Sequence, residues 1–186
     1  MCGCGRTRPS SPSTTTADGL LIATAVEIRN LRPDDWPEVA RIYAEGIATR
    51  NATFETDVPS WDKWAGVHRP IPRLVATLAD EVVAWAAVAP VSTRPIYSGV
   101  AEISLYVAKQ ARGQGVGTAL LAEFVRESEA AGIWTLQTSV FLENEASLRL
   151  LERAGFRVVG RRERIAQLDG RWRDTLLLER RSEVTE

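Results

Sequence analysis

From Val26 the run V-E-I-R-N-L alternates apolar and polar residues as a short strand does. Pro33 and the acidic pair Asp34 and Asp35 then start a helix on which Val39, Ile42, Tyr43, Gly46 and Ile47 recur at helical spacing, with Arg50 and Asn51 near its end. A second, short helix begins at the Ser60 cap and sets Trp61 and Trp64 on one face. Two apolar strands follow, Leu74 to Leu78 and Val82 to Val91, joined through Ala79-Asp80-Glu81 as an antiparallel hairpin. In V-A-E-I-S-L-Y-V, residues 100–107, Ile103, Leu105 and Val107 occupy one face of a strand, and Glu102, Ser104 and Tyr106 the other.

After a glycine-rich loop the period returns to helical, with Val116, Ala119, Leu120 and Phe124 forming a stripe that stops at Gly132. I-W-T-L-Q-T-S-V-F reads as a strand, and a helix from Glu145 to Ala154, preceded by Asn144, is closed by Gly155. Two final strands flank Asp169-Gly170, a dipeptide suited to a type I′ hairpin turn. The order is β, α, α, β, β, β, loop, α, β, α, β, β. It predicts a mixed α/β (α+β) layer rather than the strict alternation of a doubly wound fold.

A chain of 186 residues suits one domain. Residues 1–24, rich in Ser, Thr, Pro and Gly, are expected to be a disordered leader, residues 25–181 the folded domain, and residues 182–186 a C-terminal tail. The 23 basic and 24 acidic residues nearly cancel, which argues against a general nucleic-acid binder. His68 is the only histidine, and Cys2 and Cys4 lie in the leader, too few ligands for a Cys/His zinc site, so no metal is expected. A C-x-C tail could still take a soft metal. With no apolar run long enough to span a bilayer and no signal-peptide pattern, no membrane association is expected and the cytoplasm is the expected compartment.

The stretch K-Q-A-R-G-Q-G-V-G-T-A-L-L, Lys109 to Leu121, carries the candidate chemistry. Gly113, Gly115 and Gly117 are spaced G-x-G-x-G, so the dinucleotide fingerprint G-x-G-x-x-G fails, and with no lysine after Lys109 a Walker loop fails as well. Alternating glycines at a helix N-terminus still let successive backbone N–H groups converge on an anion, with Arg112 as a neighbouring charge. An ordinary strand-to-helix turn is the alternative.

Arg112-Gly113-Gln114-Gly115-Val116-Gly117 matches the Gln/Arg-x-x-Gly-x-Gly/Ala motif of the GNAT acyltransferases, and E-N-E-A-S-L-R-L-L-E-R-A-G-F, residues 143–156, looks like their second signature. Over residues 25 to 181 the chain resembles that superfamily, and within it most resembles the phosphinothricin and methionine sulfone/sulfoximine N-acetyltransferases. The matching words are A-T-F-E-T (52–56), P-V-S-T-R-P-I-Y-S-G-V-A-E (90–102), L-Y-V (105–107) and G-R-W-R-D (170–174). The resemblance implies a GNAT fold with a mostly antiparallel sheet flanked by helices, acetyl-CoA as co-substrate, direct transfer in a ternary complex, a small amino-acid-like amine as acceptor (phosphinothricin, arsinothricin or methionine sulfone type), and a homodimer.

It also implies roles. Glu102 takes the general-base position, the alternative for a carboxylate there being a strand-edge salt bridge. Backbone groups of Leu105, Tyr106 and Val107 hold the pantetheine arm, and residues 112–118 (Arg112, Gly113, Gln114, Gly115, Val116, Gly117 and Thr118) hold the pyrophosphate. Asn144 and Ser147 contact the arm, with Asn144 also fitting a helix cap. Phe54, Arg73, Ser92, Thr93, Arg94, Tyr97 and Ser104 are the candidate acceptor contacts, Arg94 being the expected grip on an acidic group. Many relatives carry Tyr or His where this chain has Leu151, so a side-chain general acid is not expected. Acetylation of a protein N-terminus or lysine, and a non-catalytic acyl-CoA-binding module, remain the alternatives.

Overall fold

The computed structural model describes Met1 and residues 25–184; Cys2, Cys4 and most of the expected leader lie outside the described residues. The strands are β1 (Glu27–Asn30), β2 (Arg73–Leu78), β3 (Glu81–Pro90), β4 (Val100–Val107), β5 (Thr135–Phe141), β6 (Arg157–Leu168) and β7 (Arg171–Arg181). They form one sheet in the order β1-β2-β3-β4-β5-β7-β6. Every neighbouring pair is antiparallel except β4–β5. The helices are α1 (Trp36–Ala48), α2 (Trp61–Val67), α3 (Val116–Ala130) and α4 (Glu145–Arg153).

The expected order of elements is present. The first helix differs at its start: Pro33–Asp35 form a 3-10 turn and the α-helix begins at Trp36. Asp35 is drawn into a bidentate pair with Arg29 on β1, at 2.7 Å for both contacts, and accepts the Arg32 N–H, so its carboxyl is held below the usual carboxylate range mainly by the Arg29 hydrogen bond. Ser60 Oγ caps α2 by accepting the Lys63 N–H at 3.4 Å.

The central strand β3 is buried from Val82 to Val88 because helices cover both sides of the sheet. Alternation on β4 tells the two sides apart. Gly46 of α1 stands against Tyr106, where a Cβ would meet the ring at 2.6 Å. Gly117 of α3 stands against Val107, where a Cβ would meet Cγ2 at 3.3 Å. The face of Glu102, Ser104 and Tyr106 is thus the α1 face, and the face of Ile103, Leu105 and Val107 the α3 face.

Leu78 pairs with Glu81 across a two-residue turn whose central residues, Ala79 and Asp80, have φ of +48° and +67°. This is a type I′ geometry without the Asn or Gly that suits it, and a left-handed alanine costs about 1 kcal/mol. Ala79→Asn is expected to raise the thermal midpoint by about 2–4 °C. A scan in which the midpoint stays level or falls contradicts that account of the turn.

Candidate active site

The parallel pair β4–β5 holds together over only three positions, Val100 with Thr135, Ala101 with Leu136 and Glu102 with Gln137. Beyond them the strands part. Residues 103–107 of β4 remain bonded to β3 on one edge, so every second peptide group turns toward the opening instead of toward a partner strand. The opening is a cleft of about 320 Å³, lined on the β4 side by Glu102, Ile103, Ser104, Leu105 and Tyr106. Thr138, Ser139, Val140 and Phe141 line it from β5, and Asn144, Ser147, Leu150 and Leu151 from α4 and the turn before it.

At the end of β4 the chain makes a short turn over Lys109–Ala111 and enters the glycine loop. Gly113 and Gly115 have φ of +77° and +80°, and nothing lies within 4 Å of where their Cβ atoms would stand, so backbone conformation, not space, requires glycine there. Gly115 caps α3, whose first helical hydrogen bond is Ala119 N–H to Gly115 O at 3.0 Å. The amides of the first turn, including Val116, Gly117 and Thr118, precede any intrahelical acceptor and form, with the helix dipole, an anion-binding end. Arg112 Nε donates to Val107 O at 3.1 Å, and Gln114 Nε2 to Gln110 O at 2.6 Å, which fixes the loop. Glu45 of α1 anchors its start by accepting the Lys109 N–H at 2.7 Å.

On the α1 face the segment after α1 crosses the cleft as a strap. Asn144 Nδ2 donates to Asn51 O at 3.0 Å, while its Oδ1 caps α4 by accepting the Ser147 N–H at 3.3 Å, so capping and tethering use opposite ends of one amide. Arg173 donates to Arg50 O and to Glu143, with its guanidinium 4.1 Å from the centre of the Phe141 ring. Phe54 meets Phe141 edge-on at 4.8 Å. Thr53, Phe54 and Glu55 thereby line the cleft opposite Glu102 and Ser104.

Glu102 is exposed and has no ion-pair partner among the described residues. Tyr106 is more than a backbone contributor. Its ring stacks on Trp85 at 4.8 Å and tilts against Tyr43 at 4.9 Å, and burial pushes its phenol well above the usual range, with the nearby Tyr43 adding to the shift. A neutral hydroxyl cluster of Tyr43, Thr53 and Tyr106 thus backs the cleft.

The structure does not bring all the candidates together. Arg73 lies outside the cleft: its guanidinium donates to the carbonyls of Ala65, His68 and Arg69 and sits 5.2 Å from the Trp64 ring centre, where burial lowers its pKa. It knits α2 to β2. Ser92, Thr93, Arg94 and Tyr97 belong to the β3–β4 connection and are not among the cleft-lining residues; Arg94 rests 5.5 Å from the Tyr97 ring centre. His68, stacked on Trp64 at 4.3 Å, is a packing residue. Thr53, Glu55, Ser139 and Thr175 line the cleft without having been singled out as contacts by the sequence; for Thr53 and Glu55 the signal was the word A-T-F-E-T, read only as part of a resemblance.

Among the described residues no cluster of His, Cys, Asp and Glu could hold a metal, and no helix is long and apolar enough to cross a membrane. The model of the Acetyltransferase (GNAT) family matches residues 26–156. A phosphinothricin N-acetyltransferase of Alcaligenes faecalis is 33% identical over 180 residues, 92% of this chain and 91% of the relative. The L-methionine sulfoximine/L-methionine sulfone acetyltransferase of Pseudomonas paraeruginosa (strain DSM 24068 / PA7) is 27% identical over 161 residues, 83% of this chain and 94% of the relative. Among solved structures, a phosphinothricin acetyltransferase from Sinorhizobium meliloti in complex with AcCoA superposes with a TM-score of 0.76 at 26% identity, covering 87% of this chain and 94% of that one.

Proposed function

Since this chain belongs to the GNAT acetyltransferase family, and is an N-acetyltransferase that uses acetyl-CoA, we propose that it acetylates the amine of a small amino-acid-like acceptor of the phosphinothricin or methionine sulfone type. The observation that carries the reading is the cleft where β4 and β5 part. Its lining includes the Glu102 carboxylate on β4, the strand whose end leads into the glycine loop at the start of α3.

In this reading the pyrophosphate lies against the amides at the start of α3, and the pantetheine arm runs along the free edge of β4 at Leu105, Tyr106 and Val107. A β4 amide polarises the thioester carbonyl as the amine attacks. The acceptor enters on the α1 face under the strap, with its ammonium toward Glu102. The Glu102 carboxylate accepts a proton from that ammonium, directly or through a water, and the neutral nitrogen attacks the carbonyl carbon. The C–N bond forms, the C–S bond breaks as the thiolate leaves, and the nitrogen sheds its second proton to water as it becomes the amide. Leu151, 7% exposed and apolar, has no proton to give, so the thiolate takes one from water or departs unprotonated, as the pKa of a thiol near 8.5 allows.

The strap favours a small acceptor over a polypeptide, because its contacts with Asn144, Arg173 and Phe141 cross the side from which a peptide would have to lie. A thiol reporter with acetyl-CoA and a panel of phosphinothricin, arsinothricin, methionine sulfone and methionine sulfoximine is expected to show amine-dependent CoA release, and far less with peptides bearing a free N-terminus or lysine. Release with peptides alone, or with no amine tested, contradicts the reading.

A further inference from the structure

The α1 face of the cleft continues across the sheet beyond Phe141. Glu102 pairs with Gln137, and Ser139 and Phe141 follow on the same face of β5. Phe141 pairs with Thr175 of β7, and Thr175 with Arg162 of β6, so all these side chains project to one side. Arg162 stands outside the cleft-lining residues but, unlike Arg94, reaches one of them, donating from Nη1 to Ser139 Oγ at 3.4 Å. Its neighbours on the strands, Arg157, Arg161 and Arg173, are paired with Glu179, Asp174 and Glu143. Arg162 has no carboxylate within ion-pair distance among the described residues.

Beneath it, Thr175 is 2% exposed, and its hydroxyl, which lines the cleft, has no hydrogen-bond partner. A buried hydroxyl left unpaired forfeits its solvation and is uncommon unless something completes it. The same cleft carries the carboxylates of Glu55, from the strap, and Glu102, from β4. Across this face the β6 end is cationic and hydroxyl-bearing and the β4 end carries the Glu102 carboxylate, the complement of a zwitterion. Regular strand spacing separates the backbones of Glu102 and Ser139 by about 8 Å, the scale of an amino acid with a hydrogen bond at each end.

We propose that Arg162, with Ser139 and Thr175, forms the subsite that holds an acidic group of the acceptor while its amine faces Glu102. The assignment rests on the acetyl-acceptor reading above and places the acid-binding cation on β6, not at Arg94. A guanidinium meeting a carboxylate or phosphinate makes charge-assisted, bidentate bonds that a neutral acceptor cannot use.

The test compares methionine sulfone, its methyl ester and phosphinothricin on the native protein and on Arg162→Leu, Arg162→Lys, Thr175→Val and Arg94→Leu. Arg162→Leu is expected to raise the KM of the acids about 10–100-fold and leave that of the ester and of acetyl-CoA within about twofold. Arg162→Lys recovers part of the loss, and Thr175→Val gives a smaller rise in the same direction. Loss of discrimination between methionine sulfone and its ester identifies the α-carboxylate as the bound group, and a larger loss on phosphinothricin identifies the phosphinate. If the native protein is active but Arg162→Leu keeps the full preference for acids, or Arg94→Leu alone abolishes it, the subsite is overturned and the acetyl-acceptor reading stands. If the native protein releases no CoA with any of the three, both fall.

Discussion

Replacing Glu102 by Gln is expected to lower kcat by about 10²–10⁴-fold, the worth of a positioned general base, with acetyl-CoA binding unchanged. The substitution keeps the shape of an exposed side chain that has no ion-pair partner among the described residues, so the fold is not at stake. In the proposed mechanism, what disappears is the group that takes the ammonium proton before the nitrogen lone pair can attack. The residual activity should therefore climb as pH rises toward the pKa of the amine, since bulk solvent then does the deprotonation. A packing role for Glu102 would produce no such pH-dependent recovery. A rate within about threefold of native at neutral pH places the base elsewhere, and Glu55 is the other carboxylate in the cleft.

Changing Gly115 to Val is expected to raise the KM for acetyl-CoA by about 10–100-fold while leaving the KM for the amine nearly untouched. Two costs combine. At φ +80° a β-branched residue stands in the left-handed region, which costs 1–3 kcal/mol or more. Relief of that strain swings the Gly115 and Val116 amides away from the axis of α3, where the pyrophosphate would be met. Gly117→Ala separates the two causes. Its penalty comes from crowding Val107 and Leu150 at 3.3 and 3.4 Å, not from φ, so it should lower stability more than affinity. Steady-state titration against acetyl-CoA with a parallel thermal scan reads both. An unchanged acetyl-CoA KM for Gly115→Val contradicts the nest.

The element order, the Asp169-Gly170 turn and the two-sided β4 strand were legible in the sequence because each follows from local period and turn chemistry. The glycine loop was legible for the same reason: glycine spacing removes the dinucleotide geometry, the lack of a lysine removes the Walker one, and Gly113 and Gly115 take the positive φ values that glycine allows. The cleft was not. It depends on β4 and β5, separated by a loop and a helix, pairing over three positions and then parting, which no window of sequence records. Arg73 looked available because it stands in a polar, proline-flanked stretch, yet three backbone carbonyls and two tryptophan rings claim it. Arg162 was one arginine among several on an exposed strand until β7 inserted between β5 and β6 and carried it over Ser139. Cross-strand neighbours of this kind are set by sheet order, and sheet order is a long-range outcome.

The central claim is that an acetyl group moves from CoA to the amine of a small amino acid within the β4–β5 cleft. Incubating the protein with acetyl-CoA carrying ¹³C in the acetyl carbonyl, together with methionine sulfone, and following the label by NMR tests it most directly. The account predicts a new amide carbonyl signal on the α-nitrogen, formed in step with free CoA and lost with Glu102→Gln. Label that stays on CoA, or that appears on the protein or on peptide lysines in place of the amino acid, contradicts it.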